Sequence, residues 1–117
     1  MFKIILLVLL AIFFVLNGLN HFYNEKMLEE YARKRHLFSP KLSVIAAGIL
    51  LIVGGVTLVI PSLLIVGVVS LSTFLIIAAF TIHTFWTETD KQHKLVEAMH
   101  FAKNIAILTE LLYIGFA

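Results

Sequence analysis

The stretch VIAAGILLIVGGVTLVIPSLLIVGVVSLSTFLIIAAF, residues 44–80, decides how this chain folds. It carries no charged side chain, and Pro61-Ser62 is its only break. A helix needs about 20 mostly apolar residues to cross the hydrocarbon core of a bilayer. The stretch therefore reads as the greater part of two spans, 41–60 and 63–83, and so short a link makes them antiparallel neighbours. Ser39 reads as the N-cap of the first of these, with Pro40 in its opening turn. Gly48 and Gly55 lie seven residues apart and so share one face, near Ala46, Ala47 and Gly54. Small residues on one face let a second helix approach closely in lipid.

The rest of the chain agrees with lipid as its solvent. Of 117 residues, 61% are hydrophobic and 14% charged, against roughly 45–50% and about 25% in soluble domains. The mean hydropathy is +1.02. Ile4 to Leu19 forms another apolar run, followed by Asn20 and His21. It lacks a small-x-small cleavage site, so it reads as a retained first span over 4–22 rather than a signal peptide. Between it and residue 41 lies a polar stretch, Asn24 to Ser39. Glu29–Arg33 and Glu30–Lys34 have the favourable i,i+4 order there. Met27, Leu28, Tyr31 and Ala32 give one apolar side, the pattern of a short amphipathic helix at a membrane surface. Thr89 and Gln92 have capping-box spacing. A helix starting there runs into a last span over 98–117. The expected architecture is all-α: one integral-membrane antiparallel four-helix bundle with an interfacial amphipathic helix after the first span.

Charge suggests an orientation. Lys3 is the only Lys or Arg on the side of the termini, whereas eight others lie in or beside the two polar loops. The positive-inside rule places both loops in the cytoplasm. A net charge of +2 offers little to nucleic acid. Membrane lipid is the expected surrounding, with other membrane subunits or a second copy as partners. The chain has no cysteine, which excludes disulfides, thiol redox chemistry and iron–sulfur clusters.

The polar residues that could carry chemistry gather at the loop-side ends of the spans. His21 closes the first, His83 and Trp86 follow the third, and Glu97, His100, Lys103 and Asn104 lead into the fourth. Glu97, His100 and Asn104 are three and four apart and form a stripe on one helical face. A pocket lined by imidazoles and an acid suits a quinone head group. The competing reading is equally physical: such amphipathic side chains are at home at any membrane interface. Glu97-x-x-His100 has di-iron spacing, but a di-iron site needs a second copy and more glutamates, so no metal site is assigned. Two of His21, His83 and His100 could be named as haem ligands, without support from their spacing. Within the membrane, Asn17 and Glu110 stand out. An acid at mid-span normally faces the protein interior and a partner. Candidates are Ser70, Ser72, Thr73, Thr81, Asn17 or a residue of another subunit.

Several of these positions together resemble the DoxX family of small four-helix membrane proteins. The resemblance rests on Asn17-Gly18-Leu19-Asn20-His21-Phe22, on Gly48 with Gly54-Gly55, on His83-Thr84-Phe85-Trp86, and most of all on His100-Phe101-Ala102-Lys103-Asn104-Ile105-Ala106-Ile107-Leu108. It spans essentially the whole chain. Phe85-Trp86 and Lys103-Asn104 match the family signature. Glu110 departs from it, since the family more often has a small residue there. The resemblance implies a prokaryotic cytoplasmic (inner) membrane protein. The family is named for a subunit of a quinone-reducing thiosulfate oxidoreductase, and its members are linked to redox complexes. The expected role is an accessory or anchoring subunit of a quinone-linked redox complex. The alternatives are a purely structural subunit or a small proton-conducting oligomer.

Overall fold

The computed structural model describes residues 1–116 and is helical nearly throughout. Five α-helices follow one another: α1 Phe2–Tyr23, α2 Glu25–Lys34, α3 Pro40–Leu58, α4 Leu64–Thr81 and α5 Lys91–Phe116. Two short 3-10 turns, Pro61–Leu63 and Phe85–Thr87, make the tight links on either side of α4.

Helix boundaries follow local chemistry. Asn24 separates α1 from α2, with its backbone N–H on the Asn20 carbonyl and its side chain on that of Asn20. The end of α2 is a Schellman motif: Leu37 N–H donates to Ala32 O and His36 N–H to Arg33 O, with His36 at φ 60° where glycine is usual. Pro40 opens α3 after Ser39, but the Ser39 side chain makes no capping bond; its carbonyl accepts from Ser43 N–H instead. The start of α5 is likewise capped by Asp90, whose carboxylate accepts from His93 N–H, rather than by the expected Thr89. The α-helical part of the expected third span stops at Thr81, so His83 lies beyond α4 and Trp86 lies in a 3-10 turn.

The four long helices alternate in direction. Gly18 of α1 faces Gly48 and Ile52 of α3, while Gly55 faces Ala11 and Val15. Gly67 of α4 faces Gly54 and Thr57, and Gly115 of α5 faces Val68. Glycines thus stand at each seam, though not on one face of α3 alone: Gly48 and Gly55 look toward α1, and Gly54 toward α4. Phe14, Leu51, Leu58, Val68, Leu71, Leu75 and Leu111 converge as the buried core. The expected four-helix bundle is met in part. Packing runs in the order α1, α3, α4, α5, with α2 laid against α3 and α1; among the described residues α1 and α5 do not approach backbone to backbone.

Among the described residues three helices are long and apolar enough to cross a membrane: those over Phe2–Tyr23, Pro40–Leu58 and, with its flanking turns, Pro61–Thr87. Their outward faces expose Ile5, Leu9, Ile12, Ile49, Val53, Val56, Val66, Val69 and Ile76. So wide an apolar belt belongs in lipid. The protein is a membrane protein. The fourth long helix, α5, is more polar, with Lys103 at its middle and Glu110 in its second half, yet from Phe101 to Gly115 it lies antiparallel along α4.

In lipid, close van der Waals packing replaces the hydrophobic effect as the force joining helices. A Cβ at Gly67 would come 2.9 Å from the Gly54 carbonyl oxygen and 3.0 Å from Leu58 N, both backbone atoms that cannot turn aside. Gly67→Val is expected to cost about 1–3 kcal/mol by overpacking, whereas Val69→Leu on the outer face leaves stability unchanged. Helicity followed by circular dichroism during titration with a denaturing detergent checks both.

Candidate functional site

Between the loop-side ends of the helices lies a cavity of about 620 Å³. Its apolar wall comes from Ala46, Ala47 and Leu50 of α3 and from Phe74, Ile77 and Ala78 of α4. Leu28, Tyr31 and Ala32 of α2, with Leu37 just after it, close one side. The polar end gathers Asn17, Asn20 and His21 from α1, His83 from the loop after α4, and Glu97, His100, Lys103 and Asn104 from α5.

Each polar group has a definite setting. His21 Nδ1 is 2.9 Å from the Asn17 carbonyl oxygen, which can only accept, so Nδ1 carries the proton. The His21 ring meets Phe74 edge-on at 6.0 Å. A side chain at Gly48 would strike Phe22 and come within 3.1 Å of His21 Cβ, so this glycine makes room for the end of α1. His83 and His100 stack face to face, with ring centroids 5.1 Å apart. Asn104 is 6% exposed and lines the cavity.

Glu97 is the centre of a network. It is 6% exposed. Tyr31 Oη donates to one carboxylate oxygen at 2.8 Å and Arg35 Nη2 to the other at 2.9 Å. Arg35 also pairs with Glu88 at 2.8 Å and reaches Thr84 Oγ1 at 3.4 Å. Its guanidinium stands 5.5 Å from the centre of the Tyr31 ring, a cation–π contact. His83 Nδ1 lies 3.4 Å from Glu97 but makes no well-aligned hydrogen bond and is otherwise buried without a partner. The carboxylate is thus already engaged by α2.

Of the residues singled out from the sequence, His21, His83, Glu97, His100, Lys103, Asn104 and Asn17 meet at this cavity. Trp86 does not; it packs with Phe80, Phe85 and Phe101 in an aromatic cluster beside it. Glu110 lies on the outer face of α5, with no interior partner among the described residues. Tyr31 and Arg35 were not singled out. A signal for Arg35 existed: four residues back stands Tyr31, not an acid, so this arginine has no acid one turn back and must find one elsewhere. The expected Glu29–Arg33 and Glu30–Lys34 pairs are replaced by an exposed Glu30–Arg33 pair at 3.6 Å.

A family model described as the DoxX-like family matches residues 5–107. The chain belongs to the DoxX-like family. No curated protein and no solved structure matches it. The matched region of this DoxX-like protein holds every residue lining the cavity, and Glu110 lies just beyond it. Among the described residues no three His, Asp or Glu side chains are grouped to hold a metal ion. Glu97 of the Glu-x-x-His motif is bound to Arg35 and Tyr31 instead. The stacked His83–His100 pair does not suit haem either, because axial ligands aim ring nitrogens at one iron from opposite sides.

Removing Arg35 leaves a buried carboxylate unpaired. Arg35→Ala is expected to cost about 3–5 kcal/mol, Tyr31→Phe about 1 kcal/mol. Arg35→Ala combined with Glu97→Leu recovers much of the loss. Thermal unfolding in mild detergent measures all three. The Tyr31 phenol is held above its ordinary range, mainly by burial; Arg35 pulls it down and Glu97 adds to the rise. The folded chain therefore binds this proton more tightly than the unfolded one. The stability it lends is complete at neutral pH and is lost as pH climbs through the folded value. Cleavage of the 24–39 segment by added protease is expected to accelerate in strongly alkaline buffer, and less so in Tyr31→Phe.

Proposed function

We propose that this DoxX-like protein is an accessory or anchoring subunit of a quinone-linked redox complex, and that its cavity receives the quinone head group. In this reading α5 crosses the membrane beside α4 as a fourth span, and the protein resides in a prokaryotic cytoplasmic membrane. The two polar loops face the cytoplasm, in keeping with eight Lys and Arg beside them against Lys3 at the other end.

The observation that carries the reading is the polar end of an otherwise apolar, membrane-level cavity, where His83 Nδ1 is buried without a hydrogen-bond partner and His100, Lys103 and Asn104 line the wall. A quinone head group is a flat ring with two carbonyl acceptors and apolar edges. Asn104 and Lys103 supply donors for a carbonyl oxygen, and Phe74, Ile77 and Ala78 supply a wall for the ring. The volume of about 620 Å³ falls within the usual range of small-ligand sites. When bound, a quinone supplies reversible two-electron, two-proton redox chemistry.

The chain's own residues bind and orient. The stacked imidazoles of His83 and His100 form a rigid polar edge beside Asn104. Glu97 holds α2 over the cavity through Tyr31 and Arg35, which limits water on that side. His21, fixed by Asn17 and by Phe74, bounds the opposite end.

Binding of ubiquinone-1 to the purified protein in nanodiscs, followed by calorimetry, tests the reading. Saturable binding is expected, weakened about ten-fold or more by Asn104→Leu or His100→Ala, since each removes a polar group that a ligand would satisfy. Trp86→Phe, outside the cavity, leaves it unchanged. Absence of saturable binding, or an Asn104→Leu protein that binds as the parent does, overturns the proposal.

A further inference from the structure

Glu110 is exposed on α5, and its depth can be read from its neighbours. Gly115 of α5 lies against Val68 of α4, and Phe101 against Phe80. The antiparallel register between those two contacts puts Glu110 level with Ser72 and Thr73, the middle of α4. If α5 crosses the membrane, as in the function proposed above, a carboxyl group stands at the centre of the bilayer on a surface that the chain itself leaves open. Acids at that depth are costly and are met by a polar partner. No group of this chain serves: among the described residues Glu110 has no hydrogen-bond or ion-pair partner, and Thr73 donates to its own backbone at Val69 O, 2.8 Å away.

The surroundings of Glu110 suit a helix. Ala102, Ala106, Thr109 and Tyr113 are all exposed and recur at four, three and four residues, so they share the face that carries Glu110. α5 is also the last helix of the packing row, joined to α4 and kept apart from α1.

We infer that this face of α5 binds the same face of a second copy of the chain, about a two-fold axis parallel to the helices. The chemistry is self-complementary only in that arrangement. A two-fold axis sets each residue opposite its own kind at equal depth, so the two Glu110 carboxyls meet and can share a proton. Thr109 Oγ1 donates its hydrogen to Ala106 O at 2.7 Å, so its lone pairs remain to accept from the neighbouring carboxyl of the other copy. Ala102 and Ala106 allow the two helices to come close. No cation of the chain lies at this depth, so an exchanged Lys–Glu pair is not available.

Cysteine cross-linking in native membranes tests the interface, and the cysteine-free sequence makes any introduced thiol unique. Ala106→Cys, oxidised with copper phenanthroline, is expected to give a covalent dimer at twice the 13.2 kDa chain mass. Val56→Cys, on the outer face of α3, gives none. By light scattering in mild detergent, the parent and Glu110→Gln are expected to be dimers, because an amide still hydrogen-bonds across the axis, and Glu110→Leu a monomer. An Ala106→Cys thiol that gives no dimer, dimerises no better than Val56→Cys, or cross-links to a different protein overturns the inference. The underlying reading fails separately: rapid reaction of Ala106→Cys with a water-soluble maleimide would place this part of α5 outside the bilayer.

Discussion

A carboxylate taken out of water must be met by donors, and Glu97 is met by two from a helix far away in the chain. Tyr31 lies in α2, the short polar helix, Arg35 caps the end of α2, and Glu97 lies in the first third of α5. No close backbone packing joins α2 to α5, so this hydrogen-bonded ion pair is the tie between them. The cavity depends on it. α2 supplies one wall, α5 supplies half of the polar end, and the Arg35 contacts to Glu88 and Thr84 hold the intervening loop in place. A pair this buried has no great net stabilising value beside an apolar substitute, but breaking one side of it is expensive. Its effect is to specify one arrangement of α2 against the rest.

Below the cavity the constraint is different. Lipid gives apolar side chains no reason to leave it, so the long helices adhere only where their surfaces fit. Gly18, Gly48, Gly55 and Gly67 let backbones come near enough to fit, and Phe14, Leu51, Leu71 and Leu111 fill what remains. The same glycine, Gly48, that closes the seam between α1 and α3 also seats His21 at the cavity. Packing and site are therefore coupled through α1. The outer face of α5 carries the opposite arrangement: small residues and an acid with nothing of this chain against them.

The helical plan was largely legible in the sequence, because the bilayer imposes a length and an apolarity that residues 44–80 display openly. The amphipathic helix after the first span was legible from its apolar side. The site was legible as a gathering of His21, His83, Glu97, His100, Lys103 and Asn104 at one end, since antiparallel helices of similar length bring their loop-side ends together. Its internal wiring was not. Nothing in the spacing joins Glu97 to Tyr31 and Arg35, or sets Trp86 against Phe101 beside the cavity, because sequence spacing tells which face a residue occupies but not which distant side chain it meets.

The sequence alone determined that this chain is helical and at home in lipid, and that its polar groups collect at the loop-side ends. Those properties follow from composition and periodicity, which act locally and at every position. Only the tertiary structure decided that Arg35 and Tyr31 take up Glu97, that Asn104 lies in a cavity wall, and that Glu110 faces outward. Each of these depends on the rotation of one helix relative to another. Rotation is set by how glycines and large apolar side chains interlock across a seam, a property of pairs of surfaces that no single stretch of sequence contains.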